Sequence, residues 1–260
     1  MIVTPRLDEK ILVDKAVRDS AVALRTVLEA MERLDADALA RPSRLPAWSR
    51  GHVLAHIDGA GNAAARQAEA AARGELVDFY DGGRAGRNAA IHAAAGRTVE
   101  EHTEALCRLA TRLDDAWPGA GSPVWDAPTS YRDGPLSGVA LLWWRETRIH
   151  LVDLQVTVGP GSWDDDLCLH LLDFLQPRLD SAGHVELVAD DTPVRWSVND
   201  DAATQSAPVV VQAALRDLVA WLAGREPEVM PVAVRADEPH ELPELGPWPS
   251  LAAAPQDSGR

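Results

Sequence analysis

Lysine is almost missing from this chain. Only Lys10 and Lys15 occur, and every other basic residue is an arginine. With so much alanine, that bias points to a GC-rich genome, an actinobacterial trait. Positive charge is scarce altogether: 25 Lys and Arg stand against 40 Asp and Glu, a net charge of -15. A surface this acidic repels phosphate backbones, so no nucleic-acid partner is expected. Cysteine is limited to Cys107 and Cys168, which fit neither a disulfide framework nor a metal-ligand spacing. Both lie in apolar-periodic segments and read as buried, inert thiols. No apolar run reaches the roughly 20 residues of a membrane span, and the first ten residues carry no apolar signal core. No membrane partner and a cytoplasmic location are therefore expected.

What is present is mostly helical patterning. Residues 6–34 carry Leu7, Ile11, Ala16, Val17, Leu24, Val27, Leu28 and Met31 at helical spacing. After a proline-bounded linker at 42–46, Ser49 is a good N-cap for a helix running to about Arg73, before Gly74. Residues 78–86 read as a loop, and a short helix is expected over 87–95. Thr98 and Glu101 form a capping box for the next helix, which ends before Trp117. A loop over 118–135 leads into a long apolar helix over 137–158. Four main helices with uneven connections imply a four-helix bundle over 1–158.

Gly159-Pro160-Gly161 closes the bundle and marks a boundary. Beyond it the pattern changes to a small α+β domain over 165–236. It has a helix at 167–179, alternating strands at 184–189 and 193–198, a third short strand at 209–211 and a helix at 213–223. Residues 237–260 are rich in proline and read as an extended tail. The fold class is thus α+β, a helical bundle followed by a smaller mixed domain.

Two histidine-bearing helical segments stand out. Glu146 and His150 are four residues apart, so on a helix they share one face, where a carboxylate and an imidazole can hold a divalent metal. His52 and His56 are spaced the same way near the start of the second helix. Ligands of the His/His/Glu type plus a water make up many catalytic zinc sites, with one position left open. His56 serves here either as a ligand or as a group orienting one. His92, His102, His170, His184 and His240 are isolated and read as structural.

These residues carry a resemblance. The segment 45–56, Leu-Pro-Ala-Trp-Ser-Arg-Gly-His-Val-Leu-Ala-His, resembles the N-terminal signature of the mycothiol-dependent maleylpyruvate isomerase family, within the DinB-like superfamily of metal-binding four-helix bundles. Residues 79–91, with Gly82-Gly83-Arg84-Ala85-Gly86-Arg87, resemble its next block. Arg145-Glu146, His150 and Asp153-Leu154 resemble its third, and 184–225 its small α+β domain. The resemblance implies a Zn2+ held by His52, Glu146 and His150, with His56 outside the metal shell. It also implies a catalytic arginine, Arg84 or Arg87, with Arg84 favoured because it precedes the expected short helix.

By the same resemblance the partners are mycothiol, a small-molecule thiol, and an electrophilic substrate. A thiol bound to such a metal is deprotonated outright, whereas a free one is only a few per cent thiolate at neutral pH. Thiolate addition to the double bond of maleylpyruvate makes it single, rotation follows, and elimination returns the thiol with fumarylpyruvate. An arginine suits the substrate carboxylates and the enolate. The enzyme alternative is a mycothiol S-transferase, in which the thiol is not returned. A non-catalytic metal-binding module, with a closed shell that includes His56, is the alternative from another class.

Overall fold

In a computed structural model of the chain, residues 9–156, 158–200, 207–236 and 238–249 are described. They divide into two compact units, one reaching Val158 and the other spanning Gly159–Pro249. The expected start of the first helix at residue 6, and residues 250–260 of the expected tail, lie outside the described residues.

The first unit is built on α1 (Glu9–Met31), α3 (Arg50–Ala72), α5 (Val99–Ala116) and α6 (Leu136–Asp153), with short α2 (Ala36–Ala40) and α4 (Gly83–Ala94) between them. Helix α6 packs on α1 and α3, and α5 packs on the same two, so the four long helices close a ring around one core. Leu24, Leu54, Leu106 and Trp143 meet there. Alanines on α3 keep the helices close, and Gly61 shows the limit: a Cβ at that position would lie 2.6 Å from Leu109 Cδ2 and 2.8 Å from Trp143 Cη2.

Local chemistry sets the helix boundaries. Thr98 forms the capping box its spacing predicts, and Ser49, expected as an N-cap, forms one as well with His52 as its third residue. Helix α6 stops at Asp153 rather than at 158, because Gln155 takes a left-handed conformation with φ 53°. Arg50, the first residue of α3, seals that end: its Nε donates to the Leu154 carbonyl at 2.7 Å and its Nη2 to that of Gln155 at 3.1 Å. The bond ties the start of α3 to the end of α6. Helix α4 begins at Gly83, four residues earlier than its sequence suggests, since of the paired glycines that read as loop Gly82 caps the helix and Gly83 opens it. Cys168 is buried as expected, but Cys107 is exposed on α5, a correction to the reading of both thiols as buried.

The second unit carries α7 (Asp165–Leu175), α8 (Leu215–Leu222) and a five-stranded sheet in the order β2-β1-β3-β4-β5. Strands β1 (Val185–Ala189) and β2 (Arg195–Val198) form the expected antiparallel pair, with Val185 opposite Val198. Strand β3 (Val209–Ala213) runs parallel to β1, and α8 packs on both. Two strands had no readable alternation, β4 (Val232–Arg235) and β5 (Glu238–His240). The second puts the beginning of the proline-rich tail, which read as mostly extended chain without strand period, into the sheet. Its Pro239 hid it, because proline is tolerated in an edge strand but weakens the pattern.

Candidate metal centre

The antiparallel meeting of α3 and α6 decides which side chains converge. Glu146 and His150 face α3 from the last two turns of α6, and His56 faces them from the second turn of α3. His56 Nε2 lies 2.8 Å from Glu146 Oε2 and 2.9 Å from His150 Nε2, while His150 Nε2 and Glu146 Oε2 are 3.2 Å apart. Among the described residues this trio is the one group with metal-holding geometry.

The expected trio of His52, Glu146 and His150 is not the one brought together. His52 lies one turn earlier on α3 and is drawn into the helix cap. Its Nδ1 is 2.8 Å from Ser49 Oγ and 3.3 Å from the Ser49 backbone nitrogen. The third residue of a capping box is committed to the chain behind it, so His56 takes the place that resemblance gave to His52. Trp48 fixes both rings, stacked on His52 and edge-on to His56 at 5.6 Å.

Protonation follows from the partners. Burial pushes His56 down to about 4, helped by the nearby His150 and opposed by hydrogen bonding to Glu146. Burial also pulls His150 down, but bonds and charge from Asp153 and Glu146 outweigh it and raise the imidazole above its usual value. For Glu146, burial alone would raise the carboxyl; hydrogen bonds from His150 and His56 hold it well below the usual range. The fully buried Asp153 lies 2.8 Å from His150 Nδ1. In neutral His150 that bond places the proton on Nδ1 and turns the Nε2 lone pair toward the cluster. A carboxylate behind a histidine in this way is typical of metal ligands.

The donor set suits a divalent ion of zinc character. Two imidazole nitrogens and a carboxylate oxygen make a common catalytic set, and three protein donors leave a fourth position open. Tetrahedral bonds of about 2.0–2.1 Å separate donor atoms by roughly 3.3 Å, a small opening of the contacts seen here. A cation also resolves a conflict, because three mutually touching donor atoms cannot all be satisfied by the protons they share.

The arginine expectation also changes. Arg84 is exposed on the first turn of α4. Arg87, one turn on, reaches the cluster, with Nη2 3.2 Å from His56 Nδ1 and its guanidinium 5.8 Å from the centre of the Tyr80 ring. Both arginines belong to α4, but Arg84 sits at its exposed start, and Arg87, one turn on, is the one that meets His56 on α3. Burial, with the charge of Glu146, raises the Tyr80 phenol to about 12, so it stays protonated. Tyr80 had no sequence signal of its own. Asp153 had one, its position three residues after His150. A cleft of about 480 Å3 begins at His56 and Arg87 and continues along α3.

A four-helix bundle with a His/Glu/His cluster on two facing helices, followed by a small α+β unit, defines a protein of the DinB-like class. Residues 20–155 match the family model described as the mycothiol maleylpyruvate isomerase N-terminal domain. That is more than half of the chain, and the chain belongs to this family. Two similar solved structures are the crystal structure of the mycothiol-dependent maleylpyruvate isomerase and that of a histidine-to-alanine mutant of it. They are 21% and 20% identical to this chain, each with a TM-score of 0.75 and covering 92% of this chain and 99% of the other. At that identity the likeness is one of fold. No curated protein matches. No helix among the described residues is long and apolar enough to cross a membrane.

Proposed function

We propose that the chain is a zinc- and mycothiol-dependent enzyme that catalyses cis-trans isomerisation of maleylpyruvate to fumarylpyruvate. The observation that carries this reading is the convergence of His56, Glu146 and His150 beside a cleft that also receives Arg87. Family membership supports the choice of thiol and reaction. When bound, the metal supplies Lewis acidity that lowers the pKa of a coordinated thiol, and the thiol supplies a nucleophile that can add and leave again.

The chain's own residues have distinct tasks. His56, Glu146 and His150 would hold the ion, and Asp153 keeps His150 in the ligating tautomer. The ionised Glu146 offsets positive charge in a dry setting. In the metal-free protein His56 Nδ1 can only accept from Arg87, because a guanidinium has no lone pair to give. Were His56 to hold the ion, its remaining proton would sit on Nδ1 facing the guanidinium donors, and Arg87 would be free to turn to the cleft. There its planar fork suits a substrate carboxylate. Tyr80, kept protonated, can donate to the oxyanion that forms on addition, and cannot act as a base at neutral pH.

The test combines metal analysis with turnover. One zinc per chain and mycothiol-dependent conversion of maleylpyruvate at constant thiol concentration are expected. Consumption of the thiol would make the protein an S-transferase. Stoichiometric zinc with no thiol-dependent reaction would overturn the enzyme reading.

A further inference from the structure

Helix α3 is buried on nearly every side. Beyond His56, its partly exposed positions before the last turn are Asp58, Gly59, Asn62, Arg66 and Glu69, a single stripe at spacings of three and four. The cleft lies over this stripe as far as Arg66, with His56 and Arg87 at one end. From Asp58 to Arg66 is eight residues, a rise of about 12 Å, the length of a group of two sugar-sized rings. The volume of about 480 Å3 falls within the roughly 300–1,000 Å3 of small-molecule sites.

The wall is polar but electrically balanced. Arg97 donates to Asp58 at 2.8 Å, and Asn62 donates to the other oxygen of Asp58 at 2.8 Å. Arg112 donates to Asn62 at 2.8 Å and forms a two-bonded pair with Glu69. Arg66 pairs with Asp81. Of the arginines lining the cleft, Arg87 alone makes no ion pair among the described residues. A second anion could enter this wall only by breaking one of the pairs. Hydroxyl groups face no such conflict. Each carboxylate has about four lone-pair sites and each guanidinium five N–H donors, so paired charges keep spare acceptors and donors for groups that both give and take. Gly59 and Ala63 leave a flat apolar floor for the C–H face of a ring.

We propose that this stripe is the seat of the hydroxyl-rich part of the thiol cofactor, a neutral amino-sugar and inositol unit. Its sulfur end points to His56, and Arg87 is left for the anionic substrate. The inference rests on the mycothiol-dependent reading above and adds to it the place and the kind of recognition. Mycothiol joins its cysteine to such a unit, so the sugar alone can be tested apart from the sulfur.

The experiment measures equilibrium binding by calorimetry to the zinc-loaded full chain. The probes are mycothiol and sulfur-free N-acetylglucosaminyl-inositol. The variant is Gly59→Leu. A Cβ at Gly59 meets nothing within 4 Å, so leucine there fills the cleft without disturbing an ion pair. In wild type both probes bind. In Gly59→Leu both weaken at least tenfold with an unchanged melting midpoint. Mycothiol binding unaffected by Gly59→Leu would overturn the placement while leaving the thiol reading intact. Failure of wild type to bind either probe would overturn both.

Discussion

Two successive turns of α3 each carry a histidine, and the fold uses them differently. His52 in the first turn bonds back to Ser49 and completes the helix cap. His56 in the second turn meets two side chains from α6 and contributes to a cluster that its own helix cannot complete. The residue type, face and local spacing are the same. What separates them is one turn of distance from a helix start, where unpaired backbone N–H groups recruit nearby side chains. A histidine within reach of that demand is poorly placed to serve a distant partner.

The sharpest way to break this contrast is zinc affinity. His56→Ala should lower it by at least ~100-fold, and His52→Ala should leave stoichiometric zinc in place. Asp153→Ala, which frees His150 to take the wrong tautomer, should fall between them at about 10–100-fold. Competition with a chromogenic chelator measures all three. Loss of zinc in His52→Ala with retention in His56→Ala would reverse the assignment.

Acid separates the two turns next. His56 has a folded pKa of about 4, below its unfolded value of 6.5. Its contribution is therefore fully present above pH 6.5 and is lost as pH falls toward 4, because the unfolded chain takes up the proton first. His150, raised by its partners, works in the opposite sense and loses its contribution as pH rises through its folded value. In the metal-free protein, the stability gap between wild type and His56→Gln should narrow by about 2 kcal/mol from pH 7 to pH 5. Urea midpoints at the two pH values check it, and a gap that widens would show that His56 is protonated in the folded state. The cap is worth less. Ser49→Ala should cost about 1 kcal/mol of stability with zinc affinity unchanged, as a melting curve and the same chelator titration would show.

Much of this was legible beforehand, and the failures share a cause. The helices were readable from their apolar period, and the starts of α3 and α5 from capping residues whose action is local. Glu146 and His150 were readable because one helix brings them together. The choice of His56 over His52, and of Arg87 over Arg84, depends on how α3 and α4 dock, and no spacing within either segment contains that. The end of α6 was misjudged for a similar reason: Arg50, more than a hundred residues away, supplies the hydrogen bonds that stop it. Strand β5 was missed because an edge strand with a proline lacks alternation, although its pairing with β4 is regular.

The smallest effect concerns the neighbour of the capping histidine. His92 on α4 approaches His52 edge-on, with ring centres 5.3 Å apart. Partial burial lowers the pKa of His52, and the facing His92 lowers it further, since two imidazolium charges at that distance repel. His92→Ala removes the second cause and leaves the first. The His52 titration midpoint should rise yet stay below the usual imidazole value, while His56 should not move. Proton NMR of the ring resonances follows each histidine separately. Equal shifts at His52 and His56 would mean that the two turns share one electrostatic environment, and the division of labour along α3 would then not hold.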